Sequence, residues 1–361
     1  MRTDLCDVLG IEHPIVGFSP SEHVVAAISR AGGLGVLGCV RFNDATELDT
    51  VLTWLDEATG GRPYGVDVVM PGHQPTEGAV TDLTRLIPSG HRDFVEQTLL
   101  RLGVPPLEAA SNRPGVLGWL HSVARSHVEV ALRHPVRLIA NALGPPPADV
   151  IAQAHERGLL VAALAGRADH ARSHVAGGVD IVVAQGYEAG GHTGEIGGLV
   201  LIPEIVDAVD VPVLAAGGIG SGRQIAAALA LGARGVWMGS VWLGTSEYRS
   251  SPGLREALLR ATSSDTVRSR IYSGKPARLL RNRWTEAWSV EGAPAALPMP
   301  LQNLLVSEAH DRLMASDDPT VVPMPVGQIV GRMNEVRPVA EVLSDLVTEA
   351  DETLTRIHKL R

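Results

Sequence analysis

The chain has 361 residues, a formal net charge of −9 and two cysteines, Cys6 and Cys39, with no metal or redox spacing. Such a length holds one large domain with additions, or two domains, and the acidity argues against a broad nucleic-acid or anionic-membrane surface. Unpaired cysteines, an opening MRTDLCDVLG without the apolar core of a signal peptide, and apolar runs too short to span a bilayer point to a soluble cytoplasmic protein.

Along the chain, strand-like and helix-like runs alternate, which predicts parallel βαβ units. Strands are expected at 14–18 (PIVGF), 34–38 (LGVLG), 64–69 (YGVDVV), 137–143 (RLIANAL), 159–165 (LLVAALA), 180–185 (DIVVAQ), 211–216 (VPVLAA) and 235–239 (GVWMG). Between them lie helical patterns such as SEHVVAAISRAG, ATELDTVLTWLDEATG, PADVIAQAHERG, HARSHVAGG and IPEIVDAVD, several ending in the glycine that helix C-termini favour. Eight alternating units predict an α/β fold, a closed (β/α)8 TIM barrel. The third connection is too long for a simple βα link, and HRDFVEQTLLRLG (91–103) within it has helical spacing. The expected organisation is therefore a barrel from 1–72 and 133–262, a helical insertion over its mouth at 73–132, and a C-terminal helical and irregular extension at 263–361. The extension opens with an Arg-rich stretch and closes with an amphipathic helix starting near Pro338, with Val339, Val342, Leu343, Leu346, Val347, Leu354 and Ile357 on one face.

The chemistry concentrates in the last three strand ends. AQGYEAGGHTG (184–194) passes from a buried strand into a loop with four glycines and His192. Glycine at that density permits close backbone approach to a ligand, and a histidine there is placed to exchange protons near neutral pH. VPVLAAGGI ends in Gly217 and Gly218, with Ser221 placed to cap the following helix; GVWMGS ends in Gly239 and Ser240. In such barrels the loops after the seventh and eighth strands, with a helix N-terminus, commonly bind phosphate. Gly33–Gly38 matches the letters of a dinucleotide fingerprint, but it follows a helix and contains a strand, so its glycines are assigned to packing. His170 and His174 stand four apart on a helix without an HExxH context, and are assigned to a solvated face instead of a metal site. No metal site is expected. Lys275, Arg278, Arg281 and Arg283 form a basic cluster, either for an anionic substrate or cofactor phosphate, or for surface carboxylates.

AQGYEAGGHTG, VPVLAAGGIGSG and WMGS, with AISRAGGLGVLG, YGVDVV, SGKPARLLRNRW (273–284) and VGQIVG (326–331), resemble the nitronate monooxygenase (formerly 2-nitropropane dioxygenase) family of FMN-dependent barrels. The resemblance implies an FMN-dependent oxidation of alkyl nitronates, or of nitroalkanes, by O2 to carbonyl compounds and nitrite. It implies His192 as the catalytic base. Gly17, Asp67, Gln185, Gly190, Gly191, Gly217, Gly218, Gly239 and Ser240 are implied around FMN. The partners implied are a small-molecule substrate and O2, with homo-oligomerisation left open. Two positions depart from the family pattern. The first strand runs on as PIVGFSPSE instead of a Gln-Ala-Pro-Met-like turn, and GVD at Asp67 replaces GVN. A carboxylate there disfavours an anionic reduced flavin unless it is protonated or paired. Two alternatives stand beside this reading: an NAD(P)H-dependent flavin reductase of enoyl thioesters or quinones, and a flavin-binding barrel without turnover.

Overall fold

The computed structural model describes residues 1–70, 80–106, 118 and 120–360. All eight expected apolar runs are strands: β1 (Ile15–Ser19), β2 (Leu34–Gly38), β3 (Tyr64–Val68), β4 (Leu138–Asn141), β5 (Leu160–Ala165), β6 (Ile181–Gln185), and, after a two-residue strand β7 (Gly191–His192), β8 (Val213–Ala216) and β9 (Gly235–Met238). They close into a parallel barrel in the order β1-β2-β3-β4-β5-β6-β8-β9. Such strands are buried on both faces, which is why they read as nearly continuous apolar runs instead of alternating ones.

The two faces have different partners. Val16, Val36, Leu138, Ala140, Ala162, Val183, Leu214 and Trp237 point inward and cluster with Leu5, Cys6 and Leu9 of a short helix, Asp4–Leu9, which plugs the N-terminal end of the barrel. The alternate residues, among them Ile15, Val66, Ile139, Val182 and Ala215, face the surrounding helices. Fully burying one Val or Leu contributes about 1.5–3 kcal/mol, so these two layers carry the barrel. With one end plugged, the C-terminal strand ends form the open mouth.

The helices follow the expected patterns: Glu22–Arg30, Ala45–Ala58, Ala148–Glu156, Ala168–Ala176, Gly198–Val206 and Gly222–Ala230. Helix Ser89–Leu102 ends at Gly103 in the left-handed region, φ 72°, and packs against the extension helices Arg283–Ala287 and Leu301–Met314. Helix His121–Ala131 packs instead on Ala45–Ala58 and β3, where a barrel's own connecting helix belongs. The expected insertion also covers 73–79, 107–117 and 119, which lie outside the described residues.

In the extension, β10 (Thr266–Ser269) and β11 (Ala277–Leu280) join β7 in an antiparallel sheet ordered β10-β11-β7. The last helix, Val339–His358, buries Val339, Leu343, Leu346 and Ala350 against helix Gly222–Ala230, while Ile357 is exposed. Among the described residues no helix is long and apolar enough to cross a membrane.

Candidate active site

The loop after β6 is held from several sides. Tyr187 N donates to Ile196 O at 2.8 Å, and Thr193 Oγ1 to Gly186 O at 2.9 Å. The Glu188 carboxylate accepts from Gly198 N at 3.0 Å, capping the next helix. Arg278, buried in β11, donates to Tyr187 O at 2.9 Å and lies 4.5 Å over the Tyr187 ring. Gln328 N donates to Glu188 O at 2.9 Å. The VGQIVG stretch thus clamps this loop, and a Cβ on Gly190 would meet Gly327 N at 2.6 Å. Gly191 has φ 72° with open space around it, so conformation demands glycine there.

His192 follows directly and is a ladder residue, paired with Ala277 of β11. Its Nε2 lies 2.6 Å from Ser273 Oγ, and its ring sits edge-on to Tyr272 with centroids 6.5 Å apart. Ser273 Oγ also accepts from Lys275 N at 3.3 Å. Burial first, and then the nearby Lys275 charge, pull the His192 pKa down to about 4. The imidazole is therefore neutral near pH 7, with one ring nitrogen bonded and the other, Nδ1, left for chemistry.

The end of β8 lies beside that of β6 and that of β9: Gln185 pairs with Ala216, and Ala216 with Trp237. Among the described residues the N–H groups of Gly218, Gly239 and Ser240 have no acceptor within the chain. Gly217 and Gly218 have φ 90° and 70°, which strains any larger residue. Gly239 has no such need, since a Cβ there would meet nothing closer than Phe18 at 3.7 Å. The adjacent free donors fit a phosphate. The helix N-terminus expected to share this duty does not. Gly222 N donates to Glu349 Oε2 at 2.7 Å, Gly220 N to Gln224 Oε1 at 2.9 Å, and Gln224 N to the capping Ser221 Oγ at 3.3 Å. The last helix has supplied the negative charge that the dipole favours.

The model of the nitronate monooxygenase family matches residues 2–349. The chain belongs to this family. A monooxygenase candidate of Mycobacterium tuberculosis is 49% identical, with 100% of this chain and 99% of that protein aligned. A candidate nitronate monooxygenase of Staphylococcus aureus (strain MSSA476) is 29% identical over 98% of both chains. Among solved structures, the nitroalkane oxidase from Streptomyces ansochromogenes superposes with a TM-score of 0.80 at 32% identity, covering 98% of this chain and 99% of that one. FabK from Thermotoga maritima gives 0.77 at 27% over both whole chains. This protein is thus an oxidoreductase of the flavin-dependent nitronate monooxygenase kind.

In this nitronate monooxygenase family member the inward residues nearest the mouth are mostly small or apolar: Gly38, Ala140, Leu164 and Ala216, with Phe18 and Trp237 stacked at 6.3 Å between centroids. Asp67 and Gln185 bring polarity to this floor. Asp67 is 6% exposed, its Oδ1 is buried without a partner, and burial raises its pKa well above the usual carboxylate value. Burial without a partner for Oδ1 disfavours the charged form of this carboxyl. Gln185 ends β6 half-buried at the same rim.

Other residues belong elsewhere. Gly17 faces the helix layer, where a Cβ would meet Ile28 at 2.5 Å and Trp242 at 2.9 Å, so packing alone accounts for this glycine. Ser240 Oγ accepts from Gly327 N at 2.8 Å and thereby ties the β9 loop to the clamp. The basic cluster is divided: Arg278 is a buried strut, Arg283 pairs with Asp318 at 3.5 Å, and only Lys275 stands near His192. His174 is buried with Nε2 3.1 Å from Leu164 O, which corrects its assignment to a solvated face; His170 is exposed. No group of metal-binding side chains occurs among the described residues. Ser273, Glu188 and Gly327 were not foreseen. SGKPARLLRNRW and VGQIVG held the signal for two of them, but their contacts depend on a ladder that no local pattern announces.

Proposed function

We propose that this protein is an FMN-dependent nitronate monooxygenase that oxidises alkyl nitronates, with O2 as oxidant, to carbonyl compounds and nitrite, in the cytoplasm. The carrying observation is His192, a neutral imidazole bonded to Ser273 on a clamped loop, whose preceding strand β6 lies beside β8 and the free phosphate-type donors of the β8 and β9 ends. Gly218, Gly239 and Ser240 would hold the FMN phosphate through backbone N–H groups, while Phe18, Trp237 and Gln185 would border the ring. Bound there, FMN supplies electron acceptance and the reaction with oxygen.

The chain's own task is to bind, orient and move a proton. With Nε2–H donating to Ser273 Oγ, the Nδ1 lone pair of His192 faces the substrate. It removes the α-proton when a neutral nitroalkane is offered, and it orients a nitronate that has already lost that proton. An anionic nitronate beside the ring raises the histidine pKa again, so the proton is retained during turnover. Lys275 adds positive charge on the substrate side. Beside the His192 ring, Tyr272 stacks on His310 (centroids 5.0 Å apart), an aromatic wall that would limit water around the reacting carbon.

Anaerobic titration of the flavin-loaded protein tests this. Bleaching of the flavin spectrum by an alkyl nitronate, with slow or no bleaching by NADPH, is the expected result. Rapid bleaching by NADPH and none by nitronate would instead establish the reductase of enoyl thioesters or quinones. Bound flavin that neither reductant bleaches would leave a binding barrel without turnover.

A further inference from the structure

Asp67 is a buried acid without a partner in an otherwise neutral lumen. Strand β3 places it by register between Gly38 of β2 and Ala140 of β4. Its neighbours Val66 and Val68 face the helix layer, so Asp67 faces inward. A Cβ on Gly38 would meet the Phe18 ring at 2.9 Å, so that ring lies over Gly38, the register partner of Asp67. Among the described residues none of the packed elements brings a counter-charge. Cys39, on the turn after β2, has a thiol that burial holds neutral. Arg41 on the same turn is bonded to Glu22 at 2.7 Å. His127, on the helix outside β3, is itself kept neutral by burial. Asn141 of β4 is occupied by Met70 and Gly144. A buried polar oxygen with no protein partner costs desolvation free energy unless a ligand satisfies it.

We infer that Asp67 works as a neutral carboxylic acid toward the bound flavin, its O–H donating to a ring carbonyl and its C=O accepting from the ring N–H. In that form it supplies one donor and one acceptor, the same pair an asparagine amide offers. The inference rests on the flavin reading above and specifies the chemistry of one contact within it. It assigns a positioning role to Asp67 and gives a reason for its orphan oxygen. It also explains how an acid is tolerated where an ionised one would repel a reduced flavin: the acid carries no charge.

The test combines infrared spectroscopy with FMN titration of the apoprotein. The wild type is expected to show the carbonyl stretch of a protonated acid, shifted when FMN binds and missing in Asp67→Asn. That variant keeps both hydrogen-bonding functions and is expected to bind FMN within roughly threefold of wild type. Asp67→Ala loses both and is expected to bind roughly tenfold or more weakly. An ionised carboxylate in the wild type, a band indifferent to FMN, or wild-type affinity in Asp67→Ala would overturn the assignment. A wild type that binds no FMN would overturn the flavin reading itself, an outcome distinct from a loaded protein indifferent to residue 67.

Discussion

His192 is proposed as a base because of what surrounds it rather than what it is. Burial and Lys275 keep the ring neutral, and Ser273 holds one nitrogen so that the other is free. His192→Asn is therefore expected to retain flavin while turnover of a neutral nitroalkane falls by roughly 10²–10⁴, with a preformed nitronate much less affected. Equal losses on both, measured as kcat/KM side by side, would assign the residue to positioning. Gly239 offers a second single-residue test. Its Cβ position is open and its φ of −117° is ordinary. Gly239→Val is thus expected to fold and melt like wild type but to purify largely without flavin. Full flavin occupancy in that variant would remove the β8–β9 donors from the site. Gly217 and Gly218 cannot answer this question, since their positive φ makes any substitution strained with or without a ligand.

At the scale of elements, the barrel strands were legible because burial on both faces demands runs of Val, Ile, Leu and Ala, and glycine or a polar residue marks where each run stops. The helices were legible from apolar spacing and capping residues, Ser221 among them. The β7-β10-β11 sheet was not. A strand of two residues has no periodicity, and Gly191–His192 becomes one only because Ala277 and Arg278 arrive beside it. The glycine-rich site loops were visible for the same reason that they work, their dihedrals and close approaches, whereas the partners Ser273 and Glu188 were set by tertiary contact. The clamp at Gly327 is testable. An alanine Cβ there would meet Glu188 O at 2.8 Å and Gly190 N at 3.0 Å, both backbone atoms that cannot rotate away. Gly327→Ala is expected to cost about 1–3 kcal/mol, lowering Tm by roughly 2–10 °C. Gly90→Ala, with open space at its Cβ, is the control expected to leave the melt unchanged or slightly raised. Equal melts for the two variants would dismiss the clamp.

For the whole molecule, buried histidines make stability depend on pH. Burial pulls His127, His192 and His310 each to about 4, below the ordinary histidine value near 6.5. Between those values the unfolded chain binds more protons than the folded one, so stability present above about pH 6.5 is lost as pH falls towards 4. Asp67 works in the opposite sense. Its raised pKa gives the fold a proton that the unfolded chain lacks, so its contribution is lost as pH rises above the ordinary carboxylate range. The histidines outnumber it, and urea midpoints are expected to drop steeply from pH 6.5 to 4.5 with uptake approaching about three protons. His127 is fully buried, and neither ring nitrogen is hydrogen-bonded to the described residues. Replacing it by Leu is expected to remove about a third of that slope and to leave neutral-pH stability no lower. An unchanged slope in His127→Leu would contradict the assignment.

The pairing of His192 with Ala277 also bears on how the protein is made. The eighth barrel strand ends at Met238, while the ladder partner of His192, its bonded Ser273 and the clamp at Gly327 all lie further along the chain. Ribosomes deliver the N-terminal part first, at roughly 5–20 residues per second. The strands, and with them the glycine ends of β8 and β9, are thus available to close before the histidine has anything to hold it. On the proposed roles, the proton-handling residue is the last part of the mouth whose contacts can form, after the glycine ends assigned to the cofactor phosphate have been made.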